Sequence, residues 1–523
     1  MVLYRTIFLS VLLFLLSFSI TSAQNDNALR SVNCRFEQPA GVEIDCYHLS
    51  VPENRSEPDS NTITLAIAIL RNPSVVVEPD PIIFLQGGPG GITLGNLYLT
   101  YGNRFEPLFA TNRDIILFDQ RGIGHSRPAL DCLSYRLLEI DLLDFELDGQ
   151  FLTRPELDET QRAALIECGE ALNNVHDLTG YNSIENAADI EAIREAFGYE
   201  QVNLWGISYG TRLALTAMRD YPDSFRRVAI DSVYPLESNL YTEVPFNFDR
   251  ALQVLFENCA ADDACNNAYP DLEQVLFDTV EQLNQQPISF NAPDPYSNRS
   301  FENMIFDGDM MLRTLFQLLY SSDLLPRLPE LIYQASQGNF DLWLVLVGWL
   351  TANRDGVAIG MNYAVQCQEE FFFTTDGAIH AAWDNFPQFE SYSQIMYDVI
   401  EMNEICNAFN AGTSPITENQ VVNSDIPTLV MAGEYDPITP PRWAIQVHET
   451  LNNSTYFELP HRGHGASGST GCAQSIVIDY FRIEDVAQLD SNCIDSISMV
   501  FSGTERTDYS ASDSANASSG DSQ

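Results

Sequence analysis

Apolar residues along this chain fall into two spacings. Short continuous runs, bounded by polar or glycine-rich stretches, read as strands buried on both faces. They are Ile63 to Leu70, Pro81 to Leu85, Asp114 to Phe118, Gln201 to Trp205, Arg227 to Ile230, Pro427 to Ala432 and Thr455 to Leu459. Helical spacing lies between them. Ala187 to Phe197 places Ile190, Ile193 and Phe197 on one face, Thr211 to Arg219 follows a strand directly, Trp443 to Leu451 opens after Pro440 and Pro441, and Cys472 to Phe481 closes the series. Strands alternating with helices predict an α/β protein with a mostly parallel sheet covered on both faces. The alternation breaks between about residues 235 and 425, which carry helical patterns such as Met310 to Tyr320 and Leu342 to Leu350. The expected organisation is a core over 24–234, a mainly helical insertion over 235–425, the rest of the core over 426–500, and a tail at 501–523. The tail is rich in Ser, Asp, Ala and Gly without apolar periodicity, and reads as disordered.

The start of the chain has a different character. Arg5 precedes an apolar run from Ile7 to Ile20, and Thr21, Ser22 and Ala23 offer small residues for cleavage. This predicts a secretory leader over 1–23, with an uncleaved anchor as the alternative. The run is short for a membrane span. All ten cysteines follow it: Cys34, Cys46, Cys132, Cys168, Cys259, Cys265, Cys367, Cys406, Cys472 and Cys493. An even number in an exported chain reads as disulfides. The simplest arrangement pairs them in order: Cys34 with Cys46, Cys132 with Cys168, Cys259 with Cys265, Cys367 with Cys406, and Cys472 with Cys493. The sequence leaves the connectivity open. Secretion, with no membrane attachment after leader removal, is therefore expected. Sequons at Asn54, Asn298, Asn452, Asn453 and Asn516 matter only in a glycosylating source.

Charge narrows the partners. The 523 residues carry 26 basic and 73 acidic side chains, a formal net charge of −47, and every basic residue is arginine. Nucleic acid and anionic membrane surfaces would repel such a chain. No metal-ligand cluster and no nucleotide fingerprint occurs, so no metal and no cofactor is expected.

The strongest chemical signal is Gly206-Ile207-Ser208-Tyr209-Gly210, a G-x-S-x-G motif between a strand and a helix. That context suits a nucleophile elbow, whose sharp turn needs small residues beside an exposed serine. A serine hydroxyl needs a base, and the base needs an orienting carboxylate, here expected in the order Ser, acid, His. His464, in Gly463-His464-Gly465 after the strand 455–459, fits the base, with His461 as alternative. Asp436, in the loop after 427–432, fits the acid. Glu434 is the runner-up, and Asp231 is a displaced alternative at another strand end. Gln86-Gly87-Gly88-Pro89-Gly90-Gly91 closes an early strand and can present backbone N–H groups to an oxyanion. Gly87 and Gly88 would supply donors there, with the N–H of Tyr209 as the second site. Asp119-Gln120-Arg121-Gly122-Ile123-Gly124-His125-Ser126 reads as a structural turn held by Asp119 and Arg121.

Taken in order, these motifs resemble the α/β-hydrolase proline iminopeptidase and tripeptidyl aminopeptidase group of serine peptidases. The Gly-Gly-Pro-Gly loop at 87–90, DQRGIGHS at 119–126 and GISYGT at 206–211 carry the resemblance, which spans roughly residues 30–495. It implies an α/β-hydrolase fold with a helical cap, Ser208 as nucleophile, His464 as base and Asp436 as its orienter. Gln86 stands where many proline iminopeptidases carry His, which favours the larger-peptide branch. The family's acidic cap residues, which hold a substrate amine, find their best local match in Glu369 and Glu370. The expectation is a secreted serine exopeptidase acting on the free N-terminus of peptides. An esterase on the same scaffold is the first alternative, since one triad cuts both bonds. A silent binding protein of this fold is the second, distinguished by failure to label with a serine probe.

Overall fold

The computed structural model describes residues 28–293, 300–352, 356–389 and 402–504. The leader read at 1–23 and the sequons at Asn298 and Asn516 lie outside these residues. Nine strands build one sheet. They are β1 (Leu29–Val32), β2 (Ile44–Pro52), β3 (Thr62–Leu70), β4 (Ile82–Leu85), β5 (Ile115–Asp119), β6 (Val202–Ile207), β7 (Phe225–Asp231), β8 (Thr428–Gly433) and β9 (Ser454–Leu459). Their order across the sheet is β1-β2-β3-β5-β4-β6-β7-β8-β9. The three pairings from β1 to β5 are antiparallel. The five from β5 to β9 are parallel. β1 and β2 escaped the sequence reading: Ile44–Pro52 buries only Cys46, Leu49 and Val51 fully, divided between its two faces, and shows no continuous apolar run.

Six helices concern the site: α1 (Ser183–Phe197), α2 (Tyr209–Asp220), α3 (Leu240–Ala261), α4 (Gly308–Leu319), α5 (Ile359–Glu369) and α6 (Cys472–Arg482). Side chains alternate along a strand, so each central strand feeds two layers. Ile83 and Leu85 of β4 pack with Ile190 and Ile193 of α1 and Leu213 of α2. Ile82 and Phe84 face the opposite layer, with Ile476, Val477 and Tyr480 of α6. Burial on both sides is what makes these strands read as unbroken apolar runs. Local signals set the ends of α1: the Asn182 side chain accepts from the N–H of Glu185, and Gly198 closes the helix at φ +73°.

Between β7 and β8 the chain leaves the sheet and forms α3, α4, α5 and several shorter helices. It also forms an antiparallel hairpin, Ile288–Pro293 with Ser300–Phe306, which helical spacing did not predict. The tail departs from expectation at its start. Phe501 is buried, and the N–H of Ser502 donates to the Pro326 carbonyl at 2.9 Å. One aromatic side chain fastens the segment onto the insertion, where a composition-based reading saw only polar sequence. The tail from 505 lies outside the described residues.

The ten cysteines form five disulfides, and each joins neighbours in the order of cysteines along the chain. Cys34–Cys46 ties the segment before β2 to that strand. Cys132–Cys168 and Cys259–Cys265 follow, the second closing a short loop at the end of α3. Cys367–Cys406 lies within the insertion, and Cys472–Cys493 pins the start of α6 to the segment after it. Among the described residues no free cysteine remains. Such a set fits an oxidising, extracytoplasmic compartment. Among the described residues no helix is long and apolar enough to cross a membrane. The Asn54 amide is buried and donates to Asp177 and Thr179, which removes it from the surface sequons.

Candidate active site

Ser208 stands where β6 turns into α2. Its φ is +60° and ψ −129°, and the helix begins at Tyr209. A positive φ strains a residue with a Cβ and is characteristic of functional turns. Glycines make the turn possible. A Cβ on Gly206 would lie 2.4 Å from the Gly210 carbonyl oxygen, and one on Gly210 would lie 2.0 Å from that of Leu85 at the end of β4. The early glycine loop meets the same spot. A Cβ on Gly87 would approach the Ser208 Cβ to 2.8 Å and its Oγ to 3.3 Å. The loop is closed by the N–H of Gly91 on the Gly87 carbonyl at 3.1 Å, and Gly88 has φ +125°. Gly87 therefore borders the serine, and Gly88 is the next residue of the same loop. Tyr209 contributes the first backbone N–H of α2, a group with no partner earlier in its own helix. Its side chain points away, its hydroxyl lying 2.9 Å from the buried Ser183 Oγ.

Two later loops bring the acid and the imidazole together. They cross so closely that a Cβ on Gly433 would lie 2.0 Å from the Gly463 carbonyl oxygen. His464 Nδ1 is 2.8 Å from Asp436 Oδ2. Asp436 is fully buried, and its carboxylate accepts from the N–H groups of Ile438 and Thr439 at 3.0 and 2.9 Å and from the Thr439 hydroxyl at 2.8 Å. Burial alone would raise this carboxyl. The facing imidazole and these donors outweigh it and hold the group below the ordinary carboxylate range. An ionised carboxylate only accepts, so Nδ1 carries the hydrogen and Nε2 remains free to take a proton. The backbone also fixes the ring. The His464 N–H donates to Tyr320 in the insertion at 3.1 Å, and the Gly465 N–H donates to the Ser232 hydroxyl at 2.7 Å. The Tyr320 ring lies 4.5 Å from the imidazole, centroid to centroid. Gly465 rests against Ile207, the residue before Ser208.

The alternatives occupy other positions. Asp231 is buried, accepts the Ser467 N–H at 2.6 Å and supports the histidine loop from beneath. Glu434 accepts the His461 N–H at 2.7 Å, so the runner-up acid and base face each other. Asp119 gathers the N–H groups of Thr93, Leu94 and His125 at 2.7–2.9 Å, anchoring the chain just past the glycine loop.

Glu369 and Glu370 lie elsewhere than a substrate-binding reading requires. Both are buried. Glu369 accepts from the Ser183 N–H, the Ser183 hydroxyl and Arg212 Nε at 2.5, 2.7 and 3.1 Å. Glu370 accepts the Leu240 N–H at 2.8 Å and faces Arg212 at 3.2 Å. Arg212 belongs to α2, so these carboxylates dock α5 and α3 onto the helix behind Ser208. The local Glu-Glu pattern carried no trace of the arginine that claims it.

Three participants had no sequence signal: Thr439 beside the acid, Tyr320 beside the imidazole, and Arg250. Arg250 reaches from α3 to the carbonyls of Glu434 and Asp436, both at 2.8 Å. A cavity of about 500 Å³ adjoins the site. Its wall includes Tyr320 and Val357, and Val357 forms a β-bridge with Gly91 of the glycine loop. Among the described residues no group of three or more His, Cys, Asp or Glu could hold a metal ion.

A family model described as alpha/beta hydrolase fold matches residues 80–468. The serine protease Hip1 of Mycobacterium tuberculosis is 28% identical over 253 residues, covering 46% of this chain and 45% of that one. The chain thus spans less than half the length of that relative. A tripeptidyl aminopeptidase of Streptomyces lividans is 24% identical over 475 residues, covering 83% of this chain and 80% of that one. Among solved structures, MGS-M2, an alpha/beta hydrolase enzyme from a deep-sea metagenome library of the Medee basin, aligns at a TM-score of 0.36 and 13% identity. That alignment covers 81% of this chain and 96% of that one.

Proposed function

The chain belongs to the alpha/beta hydrolase fold family, and from that premise we propose that it is a secreted serine exopeptidase that trims peptides from their free N-terminus. The observation that carries the chemistry is the buried Asp436 carboxylate on His464 Nδ1, beside a serine held at positive φ. The similarity to a tripeptidyl aminopeptidase over most of both chains supports the peptide substrate.

Ser208 Oγ attacks the scissile carbonyl while its proton passes to His464 Nε2. Oγ–C bonding forms a tetrahedral oxyanion, facing the N–H groups of Gly87, Gly88 and Tyr209. The C–N bond then breaks, and His464 gives the same proton to the leaving amine. Water repeats the sequence: His464 takes its proton, the acyl–Oγ bond breaks, and Ser208 recovers a proton from the imidazolium. Each oxyanion donor lowers the barrier by about 3–4 kcal/mol. Asp436 keeps the ring in the productive tautomer and faces the imidazolium as it forms. The insertion roofs the site and admits peptides rather than folded proteins.

A series of fluorogenic peptide amides with free or acetylated N-termini tests this. Cleavage of the free series alone, lost in Ser208→Ala at an unchanged melting temperature, is expected. Full activity in Ser208→Ala would overturn the assignment. A second reading, an esterase, is favoured by one observation: Glu369 and Glu370 are taken up by Arg212, and no carboxylate lines the adjoining cavity among the described residues. Equal turnover of acetylated peptides, or of esters alone, would establish it.

A further inference from the structure

The cavity beside the site has a one-sided electrostatic character. Most of its wall is apolar, including Met310, Leu318, Val347 and Trp349. Arg313 is its one charged lining residue among those described. Several interior arginines are matched to acids, as Arg121 to Asp189, Arg113 to Asp80 and Arg212 to Glu369, and others such as Arg227 and Arg250 are taken up by backbone carbonyls. Arg313 makes no ion pair or hydrogen bond among the described residues. Its other side borders a smaller hollow lined by Glu139, Asp158 and Asp307, of which Asp307 is held by Arg154 and none pairs with Arg313. In a chain of net charge −47, a guanidinium in this cavity with no ion pair among the described residues is an unfilled half of a charge pair.

Position sets what can fill it. Arg313 lies on α4, and Tyr320, against the His464 ring, is the residue that ends the helix. Seven residues are two turns, so both side chains project on nearly the same face, about 10 Å apart along the axis. An extended peptide advances about 3.3 Å per residue. Arg313 is thus set back along the helix, from the residue that meets the His464 ring, by about the span of three extended peptide residues. A cavity of this size accommodates a short segment rather than a folded chain.

We propose that Arg313 is a specificity-determining residue that receives a carboxylate carried by the substrate about three residues from the scissile bond. The inference rests on the reading of Ser208 and His464 as the hydrolytic centre. A planar guanidinium accepts a carboxylate in a two-pronged arrangement, and apolar surroundings strengthen the contact. The same charge disfavours an ammonium, so a free N-terminus would not occupy this end of the cavity. Two sources offer the carboxylate: the C-terminus of a short peptide, or an acidic side chain within a longer one.

The test uses peptides of one sequence in four forms: C-terminal acid or amide, and Glu or Gln at the third residue from the cleaved bond. Wild type should prefer a carboxylate form by about tenfold or more in kcat/KM. Which pair shows the preference identifies the source. In Arg313→Gln the ratio between carboxylate and neutral forms should fall to near one, and Arg313→Lys should restore part of it. A structural defect would lower both forms together and leave the ratio intact. No preference in wild type, or an unchanged ratio in Arg313→Gln, overturns the proposal. Calorimetric binding of the same peptides to Ser208→Ala separates this question from catalysis. Carboxylate-selective binding without peptide turnover in wild type would sink the peptidase reading and keep the role of Arg313. Peptide turnover without selectivity would do the reverse.

Discussion

A single methyl group placed on Gly210 would lie 2.0 Å from the Leu85 carbonyl oxygen, so helix α2 and strand β4 touch at a point where no side chain fits. Gly210→Ala should push α2 away from β4 and misplace Ser208. Serine-probe labelling should be lost, together with a fall in melting temperature. Retained labelling at full rate would show that the turn tolerates the shift. Asp436→Asn tests the orienter. Its side-chain amide can still meet the Ile438 and Thr439 N–H groups through oxygen, but it favours the wrong imidazole tautomer. The expected result is a loss in kcat of about 10⁴-fold with little change in KM. A kcat within tenfold of wild type would assign the orienting role elsewhere. At this scale the sequence was informative where chemistry needs a fixed local pattern. The sharp turn at Ser208 was visible from its flanking glycines, and Asp436 and His464, which the structure brings into contact, were picked out by their places after strands. It was uninformative where a partner comes from far along the chain. Glu369 and Glu370 looked available because Arg212, which binds them, lies more than 150 residues earlier.

Helix α5 is held to its surroundings by two devices of different chemistry. The first is the Glu369–Glu370–Arg212 cluster. Burial lifts Glu370 from an ordinary 4.5 to about 7, with Arg212 offsetting only part of the effect. Between those values the folded chain keeps a proton that the unfolded chain releases. The stability this group contributes is therefore present at acid pH and is lost as pH rises through about 7. Glu370→Gln mimics the protonated form. Its melting temperature relative to wild type should rise between about pH 5 and pH 8; a constant difference would refute the shift. The second device is the Cys367–Cys406 disulfide, which closes a loop of sequence separation 39. Replacing both cysteines by serine should cost about 4 kcal/mol in denaturant unfolding, by the entropy of a loop of that length. No measurable loss would mean the segment is already ordered by packing. Elements were legible in proportion to their burial. Strands covered on both faces stood out, whereas β2, half-buried along most of its length, and the hairpin of Ile288–Pro293 with Ser300–Phe306, which carries exposed residues, merged into polar sequence.

The whole molecule carries a net charge of −47, and some of its few arginines are drawn into buried pairs such as Arg121–Asp189 and Arg113–Asp80. Surface carboxylates are left to repel one another. Raising salt from about 0.01 M to 0.5 M shortens the screening length from about 30 Å to a few ångströms and should raise the melting temperature. A flat or falling response would mean the acids are already compensated locally. The architecture as a whole was readable because alternation of strand and helix is a property of long stretches. The contact of the insertion with the histidine, through Tyr320, was not readable, since it joins loops more than 140 residues apart. That separation has a temporal meaning. The proposed nucleophile, at 208, is followed by the entire insertion before positions 436 and 464 are reached. A chain emerging N-terminus first would expose its serine long before the histidine that activates it exists in folded form. On the proposed roles, synthesis order acts as a safety catch: a chain cut short before residue 464 carries the serine hydroxyl without its base, which follows the last strand.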